Sequence, residues 1–367
     1  TQNPTVSGPG VVALDVLLSD ADAGAGKLKV EVTFSEAMDS KVSPVLDLGE
    51  HGNSVSLAGG SWTAGNTKYV ASFNVTDRGV TFDGVTVGVS GAQDAAGNAM
   101  QSYTAQPEFG IDTQNPLVTE VTTTDLLVTD ADVGGQFSVS FKFSEPMDKG
   151  VIPTVTPSQE VAGITALGGS WDAQGRVFTQ VYSVADADVD VRGVSATISL
   201  ARDVNGNLSV PYTTSVGIDF DTRNPTVSIA TNNTDNMVSD ADQVVGYRVT
   251  FSEPVKSLVA GDISVDGGTL DAKSIVLAKD GMSATFAVRA FDDSVTPLSV
   301  NLKSSVVDLA GNALVVPKAA VLAVDTQNPT VSGPGVVALD VLLSDADAGA
   351  GKLKVEVTFS EAMDSKV

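Results

Sequence analysis

The stretch "LKVEVTFSE" at residues 28–36 puts Leu28, Val30, Val32 and Phe34 on one side of an extended chain and Lys29, Glu31 and Thr33 on the other. A period of two is the mark of a strand with one face in a core and the other in water. The same ending returns as "FSVSFKFSE" at 137–145, with Phe137, Val139, Phe141 and Phe143 in phase. It returns again as "VGYRVTFSE" at 245–253, with Val245, Tyr247, Val249 and Phe251 in phase, and FSE stands once more at 359–361. Later runs alternate alike: Val85, Val87, Val89; Val194, Ala196, Ile198, Leu200; Leu298, Val300, Leu302. No segment carries a helical period with caps. Short alternating strands broken by Gly, Asn, Asp and Pro predict an all-β sandwich or barrel.

Outward from these strands a fixed order recurs. "DTQNP" stands at 112–116, "DTRNP" at 221–225 and "DTQNP" at 325–329, and the chain opens on "TQNP". "SDAD" or "TDAD" follows at 19–22, 129–132, 239–242 and 344–347. "GGSW" comes after FSE at 59–62 and 168–171, with "GGTL" at 267–270, and each unit closes on D-x-x-G-N at 94–98, 203–207 and 308–312. Thr1, Thr113, Thr222 and Thr326 are 112, 109 and 104 residues apart, the size of a small domain. The expected domains are therefore 1–112, 113–221 and 222–325, with the start of a fourth over 326–367. Units of this length bury an adequate core without disulfides. Residues 326–367 repeat residues 1–42 letter for letter, so three diverged units read as one block that was copied whole. Such copying suits a protein whose length is itself useful, and the chain reads as an excerpt of a longer one.

Composition narrows the chemistry. There is no cysteine, which removes disulfides, thiolate metal sites and cysteine nucleophiles. The one histidine, His51, sits in "GEHGNS", reads as a solvated loop residue, and leaves no His-based zinc cluster. Forty-five acidic against twenty-one basic residues give a net charge of −24. A polyanion is repelled by nucleic acid and by anionic membrane surfaces, and its natural counter-charge is a metal cation. No apolar run is long enough to span a bilayer.

The order D-T-x-x-P, V-T-F-S-E, G-D-I-S-V with G-G-T-L, D-G-x-S-A-T-F and D-x-A-G-N is found here at Asp325–Pro329, Val32–Glu36, Gly261–Val265 with Gly267–Leu270, Asp280–Phe286 and Asp308–Asn312. It resembles the bacterial immunoglobulin-like repeats of giant surface adhesins, over the whole chain and most clearly in the third unit. Val151–Ile164 departs from the pattern. The resemblance implies tandem Ig-like β-sandwich domains forming an extracellular rod of extender modules, stiffened by calcium and presenting a distal binding domain on a bacterial cell surface.

On a seven-stranded Ig-like topology, the S/T-D-A-D turn and the turn before the late strands fall at one pole of each domain. FSE and D-x-x-G-N fall at the other. The first junction is then expected to collect Asp20, Asp22, Asp77, Asp112, Glu145 and Asp203. The second collects Asp130, Asp132, Asp186, Asp188, Asp221, Glu253 and Asp308. The third collects Asp240, Asp242, Asp292, Asp293, Asp325 and Glu361. Carboxylates so crowded need compensation, and Ca2+ takes six to eight oxygen ligands of this kind. The pentapeptide is on this reading a linker, its Asp a ligand and its Pro a stiffener. Each motif also has a plainer reading: D-x-x-G-N as an Asx turn, SDAD as a solvated loop, the FSE glutamate as the partner of a lysine. "ADADVD" at 185–190 opens like an EF-hand loop but has Val191 where the sixth-position glycine belongs and Thr197 where the closing glutamate belongs, so that motif is rejected. Trp62 and Trp171 read as packing residues. The sequence points to no enzyme. The partners it implies are neighbouring repeats of the same chain. Ligand-binding repeats and accessory modules of a secreted hydrolase are the competing functions.

Overall fold

The structure is a computed structural model and describes residues 2–339, 343–349 and 351–363. The expected fourth unit over 326–367 is thus covered in part, and Thr1 and positions 340–342, 350 and 364–367 lie outside the described residues. The chain divides into two compact units, Thr1–Val128 with Asp132–Phe220, and Thr129–Ala131 with Asp221–Val367. Among the described residues all regular structure is strand, apart from single 3-10 turns.

The first unit holds two sandwiches with separate cores. In the first, β1 (Val6–Ala13), β2 (Leu17–Leu18), β3 (Gly24–Phe34), β4 (Val45–Leu48), β5 (Val55–Thr63), β6 (Lys68–Val75), β7 (Thr81–Ser90) and β8 (Tyr103–Asp112) form sheets of order β1-β3-β6-β5 and β2-β8-β7-β4. The chain leaves β1, antiparallel to β3, and crosses to run parallel to β8 as β2, so its first segment ties both layers together. The apolar face of β3 is the centre of this core: Leu28, Val30 and Val32 are fully buried and Phe34 nearly so, facing Val85, Val87 and Ile111 of the other sheet. At roughly 1.5–3 kcal/mol per buried aliphatic side chain, this alternation is the main force fixing strand register.

The second sandwich contains β9 (Val118–Thr123), β10 (Leu127–Thr129), β11 (Gln136–Phe143), β12 (Thr154–Pro157), β13 (Ile164–Trp171), β14 (Val177–Val184), β15 (Asp190–Val194), β16 (Ala196–Ser199), β17 (Tyr212–Thr213) and β18 (Ile218–Asp221). One layer keeps the order β13-β14-β11-β9, but the other is split into β10-β18-β15 and β12-β16-β17. Counting back from the D-x-x-G-N aspartate, Ala196 stands where the first sandwich has the buried Val87. Beside it an apolar cleft of about 320 Å³ opens, lined by Phe137, Val161, Tyr182 and Ile218 among others. The irregular stretch Val151–Ile164 supplies β12.

The second unit holds the third sandwich: β19 (Val227–Thr231), β20 (Met237–Val238), β21 (Val244–Phe251), β22 (Ile263–Asp266), β23 (Gly268–Leu277), β24 (Ser283–Ala290), β25 (Leu298–Leu302) and β26 (Ala320–Val324). Its sheets, β19-β21-β24-β23 and β20-β26-β25-β22, reproduce the order of the first sandwich, again with a parallel β20–β26 pair. Beyond it β27 (Val331–Ala338) and β28 (Val355–Phe359) pair antiparallel, as β1 and β3 do.

GGSW has a steric reason. Its second glycine, Gly60 or Gly169, lies under the ring of Tyr69 or Phe178 on the neighbouring strand, where any Cβ would collide. The tryptophan after it packs against that ring and the FSE phenylalanine: Trp62 against Phe34 and Tyr69, Trp171 against Phe143 and Phe178. Both tryptophans are packing residues. His51 is half-buried in a turn whose carbonyl accepts from the Ser54 amide, rather than fully solvated as the sequence implied.

Candidate metal centres

The FSE serine is what brings the pentapeptide to the glutamate. Ser144 Oγ accepts from the Leu117 amide (3.1 Å), and the Ser144 amide donates to the Leu117 carbonyl (2.8 Å). Ser35 with Thr5, Ser252 with Thr226 and Ser360 with Thr330 repeat this two-way bond directly after each proline. The chain following D-x-x-G-N is tied to the same place, for Val210 donates to the Pro116 carbonyl and Val315 to the Pro225 carbonyl. Linker, FSE and D-x-x-G-N are thereby drawn to one point.

At that point in the first unit stand Asp112, Glu145 and Asp203, each with a carboxylate oxygen within 4.8 Å of the others. In the second unit Asp221, Glu253 and Asp308 are gathered in the same way. The aspartates are almost wholly buried, at 6% and 1% exposure for Asp112 and Asp203 and 3% and 2% for Asp221 and Asp308. Asp203 Oδ1 accepts from the Asn205 and Asn207 amides and its Oδ2 from Asn207 Nδ2; Asp308 makes the equivalent bonds with Gly311 and Asn312. The Asx-turn reading of the motif therefore holds together with the cluster.

Asp20 joins from the preceding sandwich. Its Oδ2 accepts from Asn115 Nδ2 (3.0 Å), while its Oδ1 is buried with no hydrogen-bond partner. Burial raises the Asp20 carboxyl above its ordinary range, helped by the charges of Asp77, Asp203 and Asp112 against the Asn115 bond. Burial likewise raises Glu145, with Asp112 and Asp203 adding repulsion that Ser144 and Arg176 only partly offset. These are acids in want of positive charge.

Other predicted ligands are satisfied locally. Asp22 Oδ2 accepts from the Ser19 amide and hydroxyl, closing its 3-10 turn. Asp242 does the same with Ser239, and those bonds hold its carboxyl below the usual range. Asp77 lies close enough to act on Asp20, but its Oδ1 accepts from Gly79 in a turn of its own. Asp130 is in the second unit with its cluster, whereas Asp132, Asp186 and Asp188 belong to the first; Asp186 Oδ1 accepts from the Asp188 amide. The third expected set is not gathered among the described residues. Asp240 and Asp292 share the Gln243 amide as donor, and Gln243 Oε1 accepts from Arg289. Asp325 and Glu361 are exposed.

The asparagines were missed by the sequence reading. Asn207 and Asn312 are fully buried, and each bonds the linker through its amide: Asn207 Nδ2 to the Asp112 carbonyl (2.9 Å), Asn312 Nδ2 to the Asp221 carbonyl (2.8 Å). The available signal was their presence in every D-x-x-G-N, and of Asn115 and Asn224 in every pentapeptide, at unvarying positions.

Residues 221–324 match the model of the family described as bacterial Ig-like domain, which spans the third sandwich and its linker aspartate. No curated protein matches the chain. The fold throughout is that of Ig-like β-sandwiches. No helix in the described residues is long and apolar enough to cross a membrane.

Proposed function

We propose that the chain consists of three spacer modules, bounded near residues 112, 221 and 325, and the start of a fourth, from a large secreted or surface-attached bacterial adhesin, and that Ca2+ at the module junctions stiffens them. The observation that carries this reading is the repeated triad of linker Asp, FSE Glu and D-x-x-G-N Asp within 4.8 Å. Asp112, Glu145 and Asp203, with the bondless Oδ1 of Asp20, would hold one ion; Asp221, Glu253 and Asp308 would hold another. An all-oxygen, carboxylate-rich donor set without His or Cys fits calcium, whose variable coordination tolerates ligands drawn from separate loops. The ion would neutralise the cluster and join linker to both neighbours.

Spacing is the work such modules perform. A strand of eight residues adds about 27 Å of length. The Ig-like sandwich is a common non-catalytic scaffold, and the paired acids lie at linkers instead of in a substrate cleft. The partners are adjoining repeats, and the net charge of −24 opposes nucleic acid and anionic lipid.

Small-angle scattering of the full chain in millimolar calcium and in excess chelator tests the reading. Calcium should lengthen and narrow the distance distribution, and Asp112→Ala with Asp221→Ala should abolish the change. A wild-type profile indifferent to calcium would overturn the proposal and leave the acids as solvating groups.

A further inference from the structure

The junction in the first unit contains a second set of bonds that needs no ion. Asn207 Oδ1 accepts the backbone N–H of Asp20 (2.9 Å), while Asn207 Nδ2 donates to the Asp112 carbonyl and to Asp203 Oδ2. One buried side chain thus bonds the S-D-A-D turn of the first sandwich, the linker, and its own loop. Asn115 completes the arrangement, donating to Asp20 Oδ2 (3.0 Å) and to the Leu208 carbonyl (2.8 Å). The second unit reproduces each bond. Asn312 Oδ1 accepts from the Asp130 amide (3.0 Å), Asn312 Nδ2 donates to the Asp221 carbonyl, and Asn224 Nδ2 donates to Asp130 Oδ2 (2.6 Å) and the Ala313 carbonyl (3.1 Å).

We infer that Asn207 and Asn115 form a metal-independent clasp, in which the D-x-x-G-N loop of the second sandwich is a receptor for the S-D-A-D turn of the first. The chemistry is selective. The receptor carbonyl needs the free N–H at the start of a 3-10 turn, which the SDAD geometry leaves unpaired within the turn. The pentapeptide amide needs a carboxylate one side chain away, which the first Asp of the motif supplies. The buried Asn207 carbonyl has its partner in this turn and loses it against a surface with no such N–H, and a buried polar group left unpaired is costly. The clasp also accounts for the two oxygens of Asp20: the amide fixes Oδ2 and so orients Oδ1. It goes beyond the calcium reading, since each of these bonds runs between protein atoms and has no ion as a partner.

The first sandwich provides an internal control. Asp94 and Asn98 make the same loop bonds, Asp94 Oδ1 accepting from Ala96 and Asn98 amides and Oδ2 from Asn98 Nδ2, with no preceding module among the described residues. The test places single cysteines at the exposed Leu57 and Leu167 of the cysteine-free chain and measures the distance between spin labels by pulsed electron resonance, in chelator throughout. The parent should give a narrow distribution. Asn207→Ala should raise the population of other arrangements about tenfold or more, as expected for two lost buried hydrogen bonds, and Asn98→Ala should leave the distribution unchanged. An unchanged distribution in Asn207→Ala, or a parent already as broad in chelator, would overturn the clasp. Calcium added afterwards separates the two ideas. A clasp that holds in a chain insensitive to calcium would sink the metal reading alone.

Discussion

Replacing Glu145 by Gln should produce effects of opposite sign with and without calcium. Two unit charges 4.8 Å apart repel by about 3.5 kcal/mol at an effective dielectric near 20 and by about 0.9 kcal/mol in water. Glu145 is half-exposed and faces Asp112 and Asp203 together, which doubles those limits to about 1.7 and 7 kcal/mol, and solvent screening holds the sum near the lower one. Removing its charge while keeping its shape should therefore stabilise the chelated protein by about 1–3 kcal/mol. On the calcium proposal the same change removes a charged ligand, and affinity should fall at least about tenfold, or about 1.4 kcal/mol. Calorimetric melts of parent and Glu145→Gln in chelator and in calcium would show the variant melting above the parent in the first and gaining less from the ion in the second. A variant that melts lower in both by the same amount would refute the electrostatic argument, because the carboxylate would then be acting through packing alone.

Other consequences follow from the cores. Phe141→Ala, at a position with no exposure, should cost about 3–5 kcal/mol in urea unfolding of the second sandwich; a loss under 1 kcal/mol would mean that the split layer lets the site collapse. Gly169→Ala should cost about 1–3 kcal/mol by pushing the Phe178 ring aside, and a Phe178→Leu background should relieve part of it, as a double-mutant cycle would show. Burial pushes the Tyr247 phenol up to about 12. The unfolded phenol ionises near 10, so the stability Tyr247 confers is full below that pH and is lost as pH rises toward 12. Ultraviolet titration of the five tyrosines should show Tyr247 ionising late and together with unfolding, with Tyr182, which burial also raises, above the ordinary range. All five titrating near 10 in a folded chain would contradict its burial.

How much of this was legible in the sequence depended on what each residue must do. The strands ending in FSE were readable because a period of two has one physical meaning when one face is oily, and Leu28, Val30, Val32 and Phe34 are buried as that face requires. The gathering of Asp112, Glu145 and Asp203 was readable because topology alone sends those loops to one end. Asp22 and Asp242 were not separable from Asp20 by residue type; only the reach of Ser19 and Ser239 back to them shows that they close turns. The split layer of the second sandwich depends on small volume changes such as Ala196 in the place of Val87, which an apolar pattern does not weigh. Asparagine escaped notice because its neutrality hides it among loop formers, although its amide is the group that can serve a carbonyl, an N–H and a carboxylate at once.

The self-contained bonding of the Asp94–Asn98 loop has an evolutionary side. A receptor that folds on its own hydrogen bonds asks nothing of the neighbour it will meet, so its competence travels with the gene segment that encodes it. Duplication, deletion or shuffling of such segments would leave every new boundary furnished with matching halves, provided each retains its turn at one end and its loop at the other. Under that rule the number of modules is free to drift under selection for reach while the joints stay constant, and the verbatim recurrence of residues 1–42 at 326–367 is the trace such drift would leave.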